Sequence, residues 1–149
     1  MGALASKLFS LGSRQWRDMF RAQWALLVAQ RTVKRLPPGQ LTARRDAAEG
    51  SAYASEPRVD TRRAQALGDA VRRVAKYGVF RPACLVRSIA LQRLLQIDGI
   101  QGAIIRVGVR QSEEGMDAHA WVELSGEVIG DSATHVRQYA PLDDLSVVP

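Results

Sequence analysis

The chain has one cysteine and two histidines in 149 residues, and that scarcity narrows its chemistry. A lone cysteine forms no internal disulfide, and no second thiol stands near it to make the short ligand pair that zinc sites normally show. Nothing therefore points to an oxidising compartment, and the cytoplasm is the expected location. Long hydrophobic runs are also missing. Arg14, Arg17, Asp18 and Arg21 interrupt the apolar residues near the N-terminus, so neither a signal peptide nor a transmembrane helix is expected. There is no internal repeat and no block of like charge. The excess of 21 Lys+Arg over 15 Asp+Glu gives +6, a balance that would suit nucleic acid, an anionic membrane or an acidic peptide. The arginines are scattered through every segment, however, which describes a basic solvated surface, and no nucleic-acid partner is expected.

What is present is an ordinary globular composition, 46% hydrophobic and 24% charged, in a chain long enough for one core. Trp16, Phe20, Trp24, Leu27 and Val28 recur at helical spacing between about Lys7 and Leu36 while the arginines fall largely elsewhere, predicting an amphipathic helix that Pro37-Pro38-Gly39 stops. Residues 40 to 60 show no period and read as a linker. The expected organisation is an N-terminal helix and linker over residues 1–50 and a catalytic domain over 51–149. Met1-Gly2 with Ser6 fits a myristoylation pattern too short to carry weight.

A second helix is expected to start after Asp60-Thr61, either of which can cap it, and to run through Leu67, Ala70, Val71 and Val74 to Gly78. A third takes Pro82 in its first turn and ends at Asp98-Gly99. The period then changes to two. Ala103 to Arg110 predicts a strand, Gln111 to Asp117 a loop, Ala118 to Leu124 a strand, and Ser125-Gly126 a turn into a strand reaching about Asp131. The tail gives no strong signal.

Cys84 lies in the first turn of the third helix, where free backbone amides and the positive end of the macrodipole favour a thiolate. The competing reading is a small buried hydrophobe. His119 shares a strand face with Trp121 and Glu123, and Asp131 ends the next strand, where it would fix the imidazole tautomer. Its face depends on register. A strict two-residue turn pairs Ala120 with Asp131 and turns the carboxylate away from His119. A bulge at Gly126 pairs Trp121 with Asp131, puts both on one face, and places Val128 with Val122 and Leu124. A Cys84–His119–Asp131 triad requires the second register. His135, four residues after Asp131, is a weaker alternative base, and a zinc site from Cys84, His119 and His135 lacks any close ligand pair.

The segments Arg81-Pro82-Ala83-Cys84-Leu85-Val86-Arg87-Ser88, Leu91-Gln92-Arg93-Leu94-Leu95, Ile105-Arg106-Val107-Gly108-Val109-Arg110 and Ala118-His119-Ala120-Trp121-Val122-Glu123, in this order, resemble the transglutaminase-like leader peptidases of lasso-peptide biosynthesis. The likeness spans about residues 60 to 135. It implies an α+β fold in which a cysteine-bearing helix packs on an antiparallel sheet carrying histidine and aspartate, as in papain-like enzymes. The family's nucleophile, base and acid fall on Cys84, His119 and Asp131, with no cofactor and no metal. The implied task is to cut a ribosomally made precursor between leader and core before an ATP-dependent cyclase closes the macrolactam. The first fifty residues do not read as a small winged-helix recognition domain, so the resemblance implies a separate leader-recognition protein as partner.

Two other functions compete: an acyltransferase or crosslinking transglutaminase of the same fold, and a non-catalytic basic module holding peptide or nucleic acid. For the N-terminal helix, the sequence leaves open whether Trp16, Phe20 and Trp24 pack on their own domain or dock the recognition protein, the cyclase or a membrane surface.

Overall fold

A computed structural model of the chain describes residues 12–35 and 60–142. The elements are α1 (Ser13–Arg35), α2 (Thr61–Tyr77), α3 (Cys84–Ile97), β1 (Ala103–Ser112), β2 (Gly115–Leu124), β3 (Glu127–Ile129), a short α4 (Ala133–Val136) and β4 (Ala140–Pro141). The strands form one antiparallel sheet in the order β3-β2-β1-β4. Helices on a sheet make the architecture α+β, as expected. Among the described residues no helix is long and apolar enough to cross a membrane.

Local chemistry sets the helix ends. The Asp60 carboxylate accepts the amide of Arg63 at 2.9 Å and caps α2, which Gly78 terminates. Helix α3 begins at Cys84, with Ala83 as its cap, so Pro82 stands just outside the helix and not in its first turn. Leu67, Val71 and Val74 of α2 and Leu91, Leu94 and Leu95 of α3 meet Val122 and Leu124 of β2 and Ile129 of β3 in the main core. This uses one face of the sheet. On the other, Trp121 packs with Val136 and Tyr139 beneath α4 and the turn after it.

Helix α1 joins the same core, but by a different face from the one its aromatic spacing marks. Ala22, Ala25, Leu26 and Ala29 are buried, while Phe20 is 71% and Trp24 67% exposed and Trp16 is also open to solvent. Alanines let the helix approach α2 and α3 closely, and one buried acid fixes it there. Asp18 accepts a bidentate pair from Arg63 of α2, which also reaches Asp98 at the end of α3, where Arg21 of α1 returns. The Arg63 hydrogen bond holds the Asp18 carboxyl below its ordinary value. Burial pushes Asp98 up, but the Arg21 and Arg63 guanidiniums outweigh it and the net shift is downward. The linker expected over residues 40 to 60 lies outside the described residues except at Asp60.

The β1–β2 hairpin is longer than its hydrophobic pattern. Ser112 pairs with Gly115 and Gln111 with Met116, so most of the expected loop from Gln111 to Asp117 is strand. This end carries little core, and its backbone ladder, the Ser112 hydroxyl donating to the Gly115 carbonyl, and the Arg110–Asp117 ion pair at 3.0 Å hold it. Polar side chains on such a projecting ribbon hide the period-two signal.

Candidate active site

The nucleophile candidate is built by a helix start. Ala83 is extended (φ −62°, ψ 159°) and its side chain caps nothing, while its carbonyl accepts the first helical bond, from the Arg87 amide at 3.1 Å. The amides of the first turn, that of Cys84 among them, are left without helical partners. The Cys84 thiol is half-buried. One turn on, the buried Ser88 hydroxyl donates back to the Cys84 carbonyl at 3.1 Å and steadies the turn from inside.

His119 is 8% exposed on β2, and its Nε2 lies 2.7 Å from Asp131 Oδ2. The register behind this bond differs from the one expected. Leu124 pairs with Glu127 and Val122 with Ile129, so Ser125-Gly126 makes a strict two-residue turn with positive φ at both residues (52° and 80°), the geometry that suits a tight hairpin. There is no bulge. Val128 accordingly lies opposite Glu123 and packs with Trp121, not with Val122 and Leu124. Asp131 reaches His119 because pairing ends at Ile129: Gly130 takes φ 74°, and the chain swings round before the alternation of a continuing strand would send the carboxylate away. The other carboxylate oxygen accepts the Ser132 amide at 2.7 Å, which fixes its orientation.

Aromatic rings enclose the imidazole. Trp121 stacks on it with centroids 6.2 Å apart, Tyr139 tilts against it at 5.1 Å, and His135 meets it edge-on at 4.9 Å. His135 is thus a neighbour of His119, held on α4 by the Ser132 cap, and Asp131 bonds to His119. Trp121 Nε1 donates to Glu123 at 2.8 Å, and Glu123 pairs with Arg106. The Tyr139 hydroxyl donates to Asp117 at 2.9 Å, and Arg110 lies 4.7 Å over its ring. Burial, and then the bond to Asp117, push the Tyr139 phenol up, and the same bond, with Arg110, draws the Asp117 carboxyl down. Sequence reasoning missed Tyr139, which lies in the tail where no period exists to read.

Gly108 makes this enclosure possible. It pairs with His119 across the hairpin, and a Cβ there would stand 2.9 Å from Trp121 Cη2, from Tyr139 Cβ and from the Ala140 carbonyl. The glycine is room for two rings.

Cys84, Trp121 and Asp131 line one cleft, together with Arg72, Arg87 and Gly130. No hydrogen bond joins the thiol to the imidazole. Nε2 of His119 is taken by Asp131, so Nδ1 is the nitrogen left for an incoming partner. Among the described residues no three His, Cys, Asp or Glu side chains cluster to hold a metal ion.

A half-buried thiol at a helix start, set against an antiparallel strand with a carboxylate-bound imidazole, defines the thiol-centred α+β class to which papain-like and transglutaminase-like domains belong. A model of the transglutaminase-like superfamily matches residues 17–144, and the chain belongs to that superfamily. The match includes α1 along with the cysteine helix and the sheet. No curated protein and no solved structure matches it.

Proposed function

We propose that the chain is a cysteine peptidase that removes the leader from a lasso-peptide precursor before macrolactam closure. The observation that carries a catalytic reading is the 2.7 Å contact between His119 Nε2 and Asp131 Oδ2, whose aspartate lines the same cleft as Cys84. The leader-peptidase assignment rests on the four ordered segments that resemble that family.

In this reading His119 Nδ1 takes the Cys84 proton and the thiolate attacks the scissile carbonyl, while Asp131 holds the ring and balances the imidazolium. The Cys84 amide, free at the helix start, donates to the oxyanion. Collapse of the tetrahedral intermediate breaks the C–N bond, and the imidazolium proton goes to the departing amine, the new terminus of the core. Water then hydrolyses the thioester, with His119 as base. A separate recognition protein delivers the precursor in the cytoplasm, and the cyclase takes the product.

The test is to incubate the protein with a leader–core precursor and its recognition protein and to weigh the products. Separate leader and core, absent with Cys84→Ala, are expected. A mass increase on an intact chain would replace hydrolysis by acyl transfer, and unchanged precursor would remove the proposal.

A further inference from the structure

Arg87 lies one helical turn beyond Cys84 and lines the same cleft. Helical side chains lean toward the helix N-terminus, so Arg87 is directed at the turn that holds the thiol. It is half-buried, and its Nε is sealed from solvent without a hydrogen-bond partner.

Other arginines near the core are paired. Arg63 holds Asp18 and Asp98, Arg106 holds Glu123, and Arg110 holds Asp117. Arg72, from the facing helix α2 and also in the cleft wall, is held by Asp69 at 2.9 Å. The carboxylate that shares the cleft with Arg87 is Asp131, and both its oxygens are committed, one to His119 and one to the Ser132 amide. Among the described residues no carboxylate pairs with Arg87, and a guanidinium partly withdrawn from water without a counter-ion is unfavourable. Its planar fork fits a carboxylate with two parallel hydrogen bonds.

We infer that Arg87 is a carboxylate-binding residue of the cleft, and that the group acylating Cys84 carries a carboxylate next to the bond under attack. The second half rests on the thioester reading above; the first does not.

Alkylation of the intact protein tests this without any precursor, using two reagents of similar size, anionic iodoacetate and neutral iodoacetamide. The ratio of their rates at Cys84 is expected to exceed the ratio for free cysteine by about ten-fold, the scale of one charge-assisted hydrogen bond. Arg87→Gln should lower the iodoacetate rate more than the iodoacetamide rate. A wild-type ratio equal to that of free cysteine overturns the inference even if the variant does not fold. An equal fall of both rates in a folded variant assigns Arg87 to the thiolate and also overturns it. Two probes identify the source of the carboxylate by protecting Cys84 from iodoacetamide. N-acetylglutamine offers only a terminal carboxylate, and the α-amide of N-acetylglutamic acid only a side-chain one; protection by either supports the site, and protection by neither counts against it. A protein that prefers iodoacetate yet cuts no precursor loses the peptidase reading and keeps the carboxylate site.

Discussion

Gly68 of α2 and Gly130 after β3 meet backbone to backbone: a Cβ on Gly68 would stand 2.6 Å from the Gly130 nitrogen and 2.7 Å from its Cα. This contact, with the positive φ of Gly130, sets the swing that carries Asp131 to His119. Gly68→Ala forces backbone apart, and overpacking of this kind costs about 1–3 kcal/mol. The expected outcome is a lower denaturation midpoint together with a loss of precursor cleavage larger than the loss of folded protein. A variant with reduced stability and unchanged specific activity would show that the glycine pair does not position Asp131.

The Asp131 carboxylate also has its own test. Asn keeps the shape and one acceptor but not the charge that balances an imidazolium, and it can hold the ring in the wrong tautomer. Asp131→Asn should cut the cleavage rate by up to about 10⁴, the drop seen when a triad aspartate is replaced by asparagine, while thermal unfolding stays close to that of the parent. A rate within a few-fold of the parent would take Asp131 out of the mechanism.

These two glycines also show where the sequence stops being legible. The three helices, the alternating strands and the face shared by His119 and Trp121 follow from period and punctuation, because burial on one side leaves its mark in the residue order. The meeting of Asp131 with His119 does not. Reading the strand as continuous to Asp131 made a bulge necessary, whereas the strand ends two residues earlier and one left-handed glycine replaces the bulge. In the same way α1 reads as amphipathic about its aromatics, because alanines and one acid buried through a distant arginine carry no hydrophobic signal. Tyr139 is invisible for a third reason: it packs from an irregular turn.

The pairing of Asp18 and Asp98 with Arg63 gives stability a pH dependence. Both carboxyls titrate below their ordinary value in the folded chain, while in the unfolded chain they titrate near about 3.9. Between the folded and unfolded values the unfolded state binds more protons, so stability rises with pH through that window and is lost as pH falls through the folded values. Asp18→Asn should flatten the acid limb of a stability curve measured by urea unfolding from pH 2 to 6. Arg63→Met takes the bidentate partner from the buried Asp18 and leaves Arg21 alone between it and the half-buried Asp98, and should cost up to about 3–5 kcal/mol near neutrality. An acid limb for Asp18→Asn identical to the parent's would mean that this cluster does not control acid unfolding.

Gly108→Ala adds one methyl where three atoms already stand 2.9 Å away. Backbone on one side and a packed indole on the other cannot both yield cheaply, so the rings against His119 must shift. Near-ultraviolet circular dichroism, which reports tryptophan packing, should lose amplitude while the far-ultraviolet signal of the helices is retained. An unchanged near-ultraviolet spectrum would mean that the aromatic enclosure tolerates the methyl.

The two sides of α1 should respond in opposite ways to truncation. Leu26 is 1% exposed and sits between α1 and the other helices, so Leu26→Ala removes core and leaves a cavity, at a cost of about 2–5 kcal/mol. Phe20, on the other side and mostly in water, loses little apolar burial when replaced, and Phe20→Ser should move stability by about 0.5 kcal/mol or less. Denaturant titration of both variants separates the faces. Equal destabilisation would place the aromatic stripe in the packing of this domain and overturn the division of the helix into an alanine-lined inner face and an aromatic outer one.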